Sequence, residues 1–207
     1  QLKEEKPNDA KLLFQIGNAY FQTGNTDLSL DYYRKVIEID KEHFNAFNNM
    51  GGVLATLGKY SEAIDAFKKT IAIKPDYSDA YSNIGNCYLY LKNHSNAIEN
   101  FNKAIEINNA NFFAFNGLGS AYKELDKINE AVINYRKAVN IKPDYLEAYE
   151  NLGTTLSTIR QFDQAKEAFE KVLEIKPEHK YTFGRLLHTK MMLADWSQFD
   201  DDLKHLL

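Results

Sequence analysis

The chain has 207 residues, of which 44% are hydrophobic and 26% are charged, and its formal net charge is -4. This charge gives no support for a phosphate-binding surface, so nucleic acid is not expected as a partner. No apolar run approaches the roughly 20 residues that span a membrane, and nothing resembles a signal peptide. The single cysteine, Cys87, excludes an internal disulfide framework and predicts a reducing, cytoplasmic location.

Glycine recurs at a constant interval of 34 residues, at Gly17, Gly51, Gly85, Gly119 and Gly153. Such a period is typical of stacked helical repeats. Because glycine inside a helix is about 1 kcal/mol less favourable than alanine, the recurrence needs a physical cause. We expect that the missing Cβ lets a second helix pack closely against this position.

Placing each glycine at the eighth position of a repeat divides the whole chain into segments. They are residues 1–9 as the tail of a preceding repeat, full repeats at 10–43, 44–77, 78–111, 112–145 and 146–179, and a divergent capping repeat at 180–207. The chain starts at Gln1, without a methionine and within a repeat, so we expect a fragment or a processed product.

Each full repeat predicts two amphipathic helices, helix A with the glycine and helix B with an aromatic residue at the twenty-fourth position. These aromatic residues are Tyr33, Phe67, Phe101, Tyr135 and Phe169. The predicted N-caps of helix B are Asp27, Ser61, Ser95, Asn129 and Asp163. Helix B is expected to end before Pro75, Pro143 and Pro177, since proline cannot continue a helix.

Glycine at the eighth position, alanine at the twentieth, an aromatic at the twenty-fourth and proline at the thirty-second resemble the tetratricopeptide repeat. The match covers nearly all of residues 7–179. Departures are local: Ser29 replaces alanine, Lys41 and Asn109 replace proline, and Val36 and Thr70 stand where a small residue is usual. The resemblance implies an all-α fold, a right-handed superhelix of antiparallel helix pairs whose A helices line a concave groove.

The positions that line the groove in this family are rich in carboxamides here. The candidate peptide-binding residues are Gln15, Asn18, Asn48, Asn49, Asn83, Asn86, Asn116 and Asn151. An amide offers both a donor and an acceptor, so a row of amides can pair with the backbone of an extended peptide. The alternative is that these amides are solvated, or bond to the neighbouring helix and hold the stack. Candidate apolar anchors are Phe14, Phe21, Leu89 and Tyr90.

The residues at the groove positions indicate whether this chain could bind a C-terminal carboxylate, which is one known function of the family. Tetratricopeptide domains that clamp the C-terminal carboxylate of chaperones resemble one another in having Lys at the fifth position and Lys or Arg at later second and sixth positions. In this chain no fifth or sixth position carries Lys or Arg, and a second position does so only at Lys11. A carboxylate needs a cationic partner to offset its desolvation, so this clamp is not predicted.

Catalytic motifs are absent from the sequence, which has no Gly-rich phosphate loop, no His-Glu-x-x-His pair and no paired cysteines. The five histidines are too scattered to predict a metal site. The acidic run at 200–202 is better explained as the first turn of a short helix. Cys87 is predicted to lie in the core. We therefore expect no enzyme activity, metal or cofactor in this chain alone.

The segment after the fifth repeat loses the repeat consensus. The blocks Leu187-His188-Thr189-Lys190, Ala194-Asp195-Trp196-Ser197 and Phe199-Asp200 resemble the junction at which the repeats of SPINDLY-type O-linked N-acetylglucosamine transferases meet the catalytic region. This resemblance implies an acceptor-recognition arm of a larger protein glycosyltransferase. The alternative is an ordinary capping repeat.

The asparagines at the sixth position, Asn49, Asn83 and Asn151, are similar to those that line the superhelix in those transferases and hold the acceptor protein. The function predicted from the sequence is therefore a protein-interaction module that binds an extended peptide or an unstructured protein segment in an Asn-rich groove. A second prediction is a stand-alone scaffold. Its convex face or its ends would mediate self-association into a homo-oligomer, and its groove would hold no peptide.

Overall fold

The computed structural model describes residues 9–195, which form eleven α-helices and no strands. The helices are α1 (Ala10–Gln22), α2 (Thr26–Ile39), α3 (Phe44–Thr56), α4 (Tyr60–Ile73), α5 (Ser78–Tyr90), α6 (His94–Ile107), α7 (Phe112–Glu124), α8 (Ile128–Ile141), α9 (Leu146–Thr158), α10 (Phe162–Ile175) and α11 (Lys180–Met192). Odd-numbered helices correspond to helix A and even-numbered helices to helix B. The expected all-α fold built from helix pairs is confirmed.

The chain divides into two compact units. Unit 1 (Gln1–Asn109) contains α1 to α6, and unit 2 (Ala110–Leu207) contains α7 to α11. Within each unit every helix packs against the next one along the chain. None of the helices in the described part is long and apolar enough to cross a membrane.

The turn between helix A and helix B decides where helix B begins. Gly24 and Gly58 have φ angles of 78° and 75°, a left-handed conformation that glycine adopts readily. Lys92, Asp126 and Arg160 have φ angles of 58–59° in the same turn of the next three repeats. The observed N-caps of helix B follow directly: Asn25, Lys59, Asn93, Lys127 and Gln161. The predicted N-caps, two residues later, were wrong because the left-handed residue sets the start of the helix.

The recurring glycine and the recurring aromatic residue of each repeat are in contact. A Cβ added at any of the five glycines would lie only 2.6–2.8 Å from the ring at the twenty-fourth position of the same repeat, closer than real Cβ contacts come. All five rings are at most 1% exposed, so they form the centre of the core. The prediction that the missing Cβ permits close helix packing is confirmed.

Two departures from the repeat pattern bury a hydroxyl group, and each hydroxyl has a partner. Ser29 Oγ donates to the carbonyl oxygen of Gly17 at 2.9 Å. Thr70 Oγ1 lies 3.3 Å from the carbonyl oxygen of Ala66 and 3.4 Å from that of Phe44. Since a buried polar group is costly only when it lacks a hydrogen bond, the core tolerates both residues.

The C-terminal resemblance falls only partly on the described chain. Residues 187–190 lie on α11, and Asp195 follows that helix. Trp196, Phe199 and the other residues of that motif from 196 onward lie outside the described residues. The acidic run at 200–202 and residues 1–8 lie outside them as well.

Candidate functional site

Six predicted amides lie on the A helices of unit 1, and we refer to them as the amide row: Gln15, Asn18, Asn48, Asn49, Asn83 and Asn86. Asn49 Nδ2 donates to Asn18 Oδ1 at 2.8 Å, which joins α3 to α1. Asn83 Nδ2 lies 3.5 Å from Asn48 Oδ1, which joins α5 to α3 through a longer contact. Four of the predicted residues therefore connect adjacent A helices, as one of the sequence alternatives expects.

The amide of Asn18 is also fixed from the core side. Tyr33, which is fully buried, donates its hydroxyl hydrogen to Asn18 Oδ1 at 2.7 Å. An Asn side chain has two N–H donors and an oxygen with two lone pairs, so Asn18 Oδ1 is saturated by Tyr33 and Asn49. Asn49 uses one of its N–H groups in this bond and keeps a second.

The other two members of the amide row are not held in this way. Gln15 is exposed and Asn86 is half-buried, and neither side chain makes a hydrogen bond with any residue in the range 9–195. Both amides therefore keep all their donors and acceptors for a ligand or water. This separates the amide row into connecting members and open members.

In unit 2 the amides of Asn116 on α7 and Asn151 on α9 form a second pair. Asn151 Nδ2 donates to Asn116 Oδ1 at 3.1 Å, and Asn116 Nδ2 donates to Glu147 Oε1 at 3.0 Å. Tyr145 donates its hydroxyl hydrogen to Glu147 Oε2 at 3.1 Å. Burial, and then the carboxylate of Glu147, raise the pKa of Tyr145, so its phenol stays a donor at neutral pH. Asn116 is 5% exposed and serves mainly to hold Asn151 in place.

The four candidate apolar anchors differ in exposure. Phe14 and Leu89 are half-buried, whereas Phe21 is 38% exposed and Tyr90 is 68% exposed. The ring of Tyr90 stacks on that of Tyr60 with a centroid separation of 4.7 Å and an interplanar angle of 2°. Phe21 and Tyr90 therefore offer the larger accessible aromatic surfaces in unit 1.

Arg185 on α11 is a candidate site residue that the sequence analysis missed. Continuing the repeat register into the partial repeat places Arg185 at a sixth position, so the statement that no sixth position carries Lys or Arg holds for the full repeats alone. Its guanidinium donates hydrogen bonds to Thr154 Oγ1 and to the hydroxyl oxygen of Tyr181, and lies 4.4 Å from the Tyr181 ring centroid. Extending the position count by one repeat would have found it.

Arg185, Thr154 and Tyr181 line a cavity of about 610 Å³ between α9 and α11. Among residues 9–195, its lining includes Lys180 and His188 and contains no Asp or Glu. A cavity of this volume is in the range of known ligand pockets. We call it the α9/α11 cavity.

The described residues show no metal site and no reactive thiol, and two of the histidines cap helices. No cluster of three or more His, Cys, Asp or Glu residues within 9–195 could hold a metal ion. Cys87 is 2% exposed, and burial raises its pKa to about 11, so the thiol is protonated and unreactive at neutral pH. His43 and His179 accept hydrogen bonds from the backbone N–H groups of Ala46 and Thr182, which makes them helix N-caps.

Family models described as tetratricopeptide repeats match residues 10–43, 42–110, 119–157 and 146–179, which together span most of the chain. The chain belongs to the tetratricopeptide repeat family. Proteins built from such repeats are interaction scaffolds with extended binding surfaces, and this chain is one of them. No curated protein matches the sequence.

Solved structures share the fold at low sequence identity. Pseudomonas aeruginosa pilF has a TM-score of 0.81 and 17% identity, over 93% of this chain and 88% of that one. A MamA fragment from Desulfovibrio magneticus RS-1 has a TM-score of 0.67 and 25% identity, over 82% of this chain and 96% of that one. YrrB, described as a tetratricopeptide repeat protein with an unusual peptide-binding site, has a TM-score of 0.61 and 22% identity, over 88% of this chain and 94% of that one.

Proposed function

We propose that this chain binds extended polypeptide on the A-helix surfaces of its two units and that the carboxamides of those surfaces contact the peptide backbone. The observation that carries the proposal is the state of the amide row. Connecting members such as Asn18 and Asn49 are fixed by bonds between A helices, while Gln15 and Asn86 keep their full hydrogen-bonding capacity.

An extended peptide suits such a surface for a physical reason. Its backbone presents N–H and C=O groups that need partners when they leave water. A connecting amide such as Asn49, which is held by Asn18 and keeps one N–H group, loses less conformational entropy on binding than a freely rotating side chain does. Carboxamides that bond to the peptide backbone, and not to particular side chains, would accept unstructured segments of varied sequence. The YrrB description supports peptide binding as a use of this fold.

The experiment that tests the proposal measures capture of a degenerate pool of acetylated, amidated peptides by the full chain, with the captured peptides identified by mass spectrometry. Asn86→Ala and Gln15→Ala remove open amides without breaking any described hydrogen bond. Each is expected to weaken capture several-fold, since a net hydrogen bond contributes about 0.5–1.5 kcal/mol. The matched control is Asn100→Ala, because Asn100 lies on helix B and bonds to its own helix at the carbonyl of Asn96.

Two results would contradict the proposal. Capture that is equal for Asn86→Ala and Asn100→Ala would remove the amides from the binding surface. A chain that captures no peptide, but sediments as an oligomer, would favour the stand-alone scaffold that associates with itself through its convex face or its ends. Sedimentation velocity on the same samples distinguishes this outcome from simple loss of folding.

A finer proposal is that the chain is the acceptor-recognition arm of an O-linked N-acetylglucosamine transferase. It is supported by the residue blocks from Leu187 to Asp200 and by the asparagines at sixth positions. Top-down mass spectrometry of the native gene product tests it. A product that continues past Leu207 into a sugar-nucleotide domain would support the arm, and a product that ends near Leu207 would exclude it.

A further inference from the structure

The α9/α11 cavity is electropositive, and Arg185 in its lining has no acidic partner among the described residues. Arg185 is half-buried, and no carboxylate in the range 9–195 lies within ion-pair distance of its guanidinium. By contrast, the partly buried Lys166 in the same unit has Asp195 at 2.7 Å. A cation withdrawn from water is stabilised by a counter-ion, so the environment of Arg185 favours an incoming anion.

Neighbouring positive charges also favour an anion in the cavity. Lys123 on α7 has a lowered pKa, first because of burial and second because of the positive charge of Arg185, with Glu124 opposing both. Lys180 adds a further ammonium group at the wall of the cavity. The carboxylate of Glu150, one turn before Thr154, is not among the residues that line the cavity. Its Oε1 accepts a hydrogen bond from Thr182 Oγ1 at 2.8 Å and lies 3.4 Å from His179 Nδ1.

Three hydroxyl groups of the cavity have no hydrogen left to donate to an anion. Thr154, Ser157 and Thr189 donate their hydroxyl hydrogens to backbone carbonyls of their own helices, at 2.7, 2.9 and 2.8 Å respectively. They therefore present lone pairs to the cavity and not donors. An anion in the cavity must therefore be bound by the cationic groups, and a carboxylate matches the planar fork of a single arginine.

The guanidinium is also oriented before any ligand binds. Thr154 Oγ1 accepts from one Nη while its own hydrogen goes to Glu150 O, and the Tyr181 hydroxyl accepts from the other Nη at 2.5 Å. The guanidinium carbon also lies over the Tyr181 ring, 4.4 Å from its centroid, which restricts the movement of the group further. Such preorganisation reduces the entropy lost when a carboxylate binds.

We propose that the α9/α11 cavity is a subsite for the side-chain carboxylate of an Asp or Glu residue within the bound polypeptide, with Arg185 as its partner. The inference rests on the proposed function, because it names the chemistry of the peptide that the A-helix surface of unit 2 selects. The volume of about 610 Å³ is larger than a single terminal carboxylate would fill. The size of the cavity therefore favours an acidic residue with peptide chain on both sides of it. Tyr181, which is 67% exposed, gives apolar contact to the flanking residues.

The test measures binding of acetylated, amidated peptide pools to the full chain by fluorescence anisotropy. The pools share uncharged degenerate positions and differ only at a central residue, which is Glu, Gln or Lys. A fourth pool has central Gln and a free C-terminal carboxylate. We expect the Glu pool to bind about tenfold more tightly than the Gln pool, and the preference to decrease with salt. Arg185→Gln should remove the preference.

Control variants separate this effect from general damage. Arg136→Gln makes the same chemical change in unit 2 at an exposed arginine of α8 outside the cavity, and it should keep the preference for Glu. Tyr181→Phe keeps the charge of Arg185 but removes one of its acceptors, and should reduce Glu binding about threefold without affecting Gln binding. If Arg185→Gln loses helical content by circular dichroism, Arg185→Lys and Tyr181→Phe carry the test.

Three results would refute the acidic subsite, and each has a different consequence for the proposed function. Equal binding of the Glu and Gln pools, with both weakened by Asn86→Ala, would refute the acidic subsite and leave the proposed function standing. Binding of the free-carboxylate pool as tightly as the Glu pool would assign the cavity to a chain terminus and refute the proposal. Absence of binding to every pool would refute the proposed function and the subsite together.

Discussion

Replacement of Gly85 by alanine is expected to destabilise unit 1, although alanine is the better helix former. Gly85 lies on α5 at the eighth position of the third repeat, opposite the ring of Phe101 on α6. The matched control is Gly52→Ala on α3, one residue after the corresponding glycine of the second repeat. A Cβ at Gly52 would have no atom within 4 Å.

The geometry gives the size of the effect. A Cβ at Gly85 would lie 2.7 Å from Phe101 Cε1, 2.8 Å from Cδ1 and 3.0 Å from Cζ, and the ring is 0% exposed, so it has no open space to move into. Overpacking of this kind destabilises by about 1–3 kcal/mol. The helix propensity of alanine offsets about 1 kcal/mol of that loss. At Gly52 only the favourable propensity change of about 1 kcal/mol applies. The two variants should therefore differ by about 1–3 kcal/mol in free energy of unfolding.

Urea denaturation of the full chain, followed by circular dichroism, measures this difference. Because repeat arrays need not unfold in one step, hydrogen exchange of the α5 and α6 amides should be recorded beside it as a local free energy. Adding Phe101→Leu to Gly85→Ala relieves the overlap, so the double variant should lose less than the two single changes added together. If Gly85→Ala is as stable as Gly52→Ala, the glycine is not required by the ring and the packing argument fails.

Three further results are expected. Tyr33→Phe should destabilise unit 1 by about 1 kcal/mol in urea denaturation, because Asn18 Oδ1 loses a buried partner; no change would mean that water replaces the hydroxyl. A double-mutant cycle of Asn18→Ala and Asn49→Ala should give a coupling of about 0.5–1.5 kcal/mol, and additive losses would contradict the bond between α1 and α3. Burial raises the pKa of Cys87 from 9.0 to about 11, so its contribution to stability is complete below pH 9 and is lost as the pH rises to 11. The urea midpoint of the native chain should fall more steeply over that range than that of Cys87→Ala, and parallel curves would refute the burial argument.

The helix pairs and their register follow from the sequence because they depend on one-dimensional periodicity. The glycine of the eighth position and the aromatic of the twenty-fourth recur visibly, and their contact is what Gly85 and Phe101 make in the structure. The start of helix B did not follow, because it depends on a backbone angle. A lysine at position 92 gives no sequence signal that it adopts a φ of 59°.

The candidate site was predictable in composition but not in bonding. The sequence shows that amides recur on helix A, yet it does not show that Asn49 donates to Asn18 while Asn86 has no described partner. Those roles depend on the distance between adjacent A helices, which is a tertiary property. Arg185 was missed for a different reason, since the positions were compared only through the fifth full repeat and its own repeat has lost the consensus.

The turns between helix A and helix B also make the stability of individual repeats adjustable. Lys92, Asp126 and Arg160 hold a left-handed conformation that costs a residue with a Cβ about 1 kcal/mol more than glycine. None of the three belongs to the amide row or to the residues lining the α9/α11 cavity. Glycine at any one of them would strengthen a chosen repeat and leave the binding surfaces unaltered. The order in which the repeats unfold could thus be set by engineering, one turn at a time.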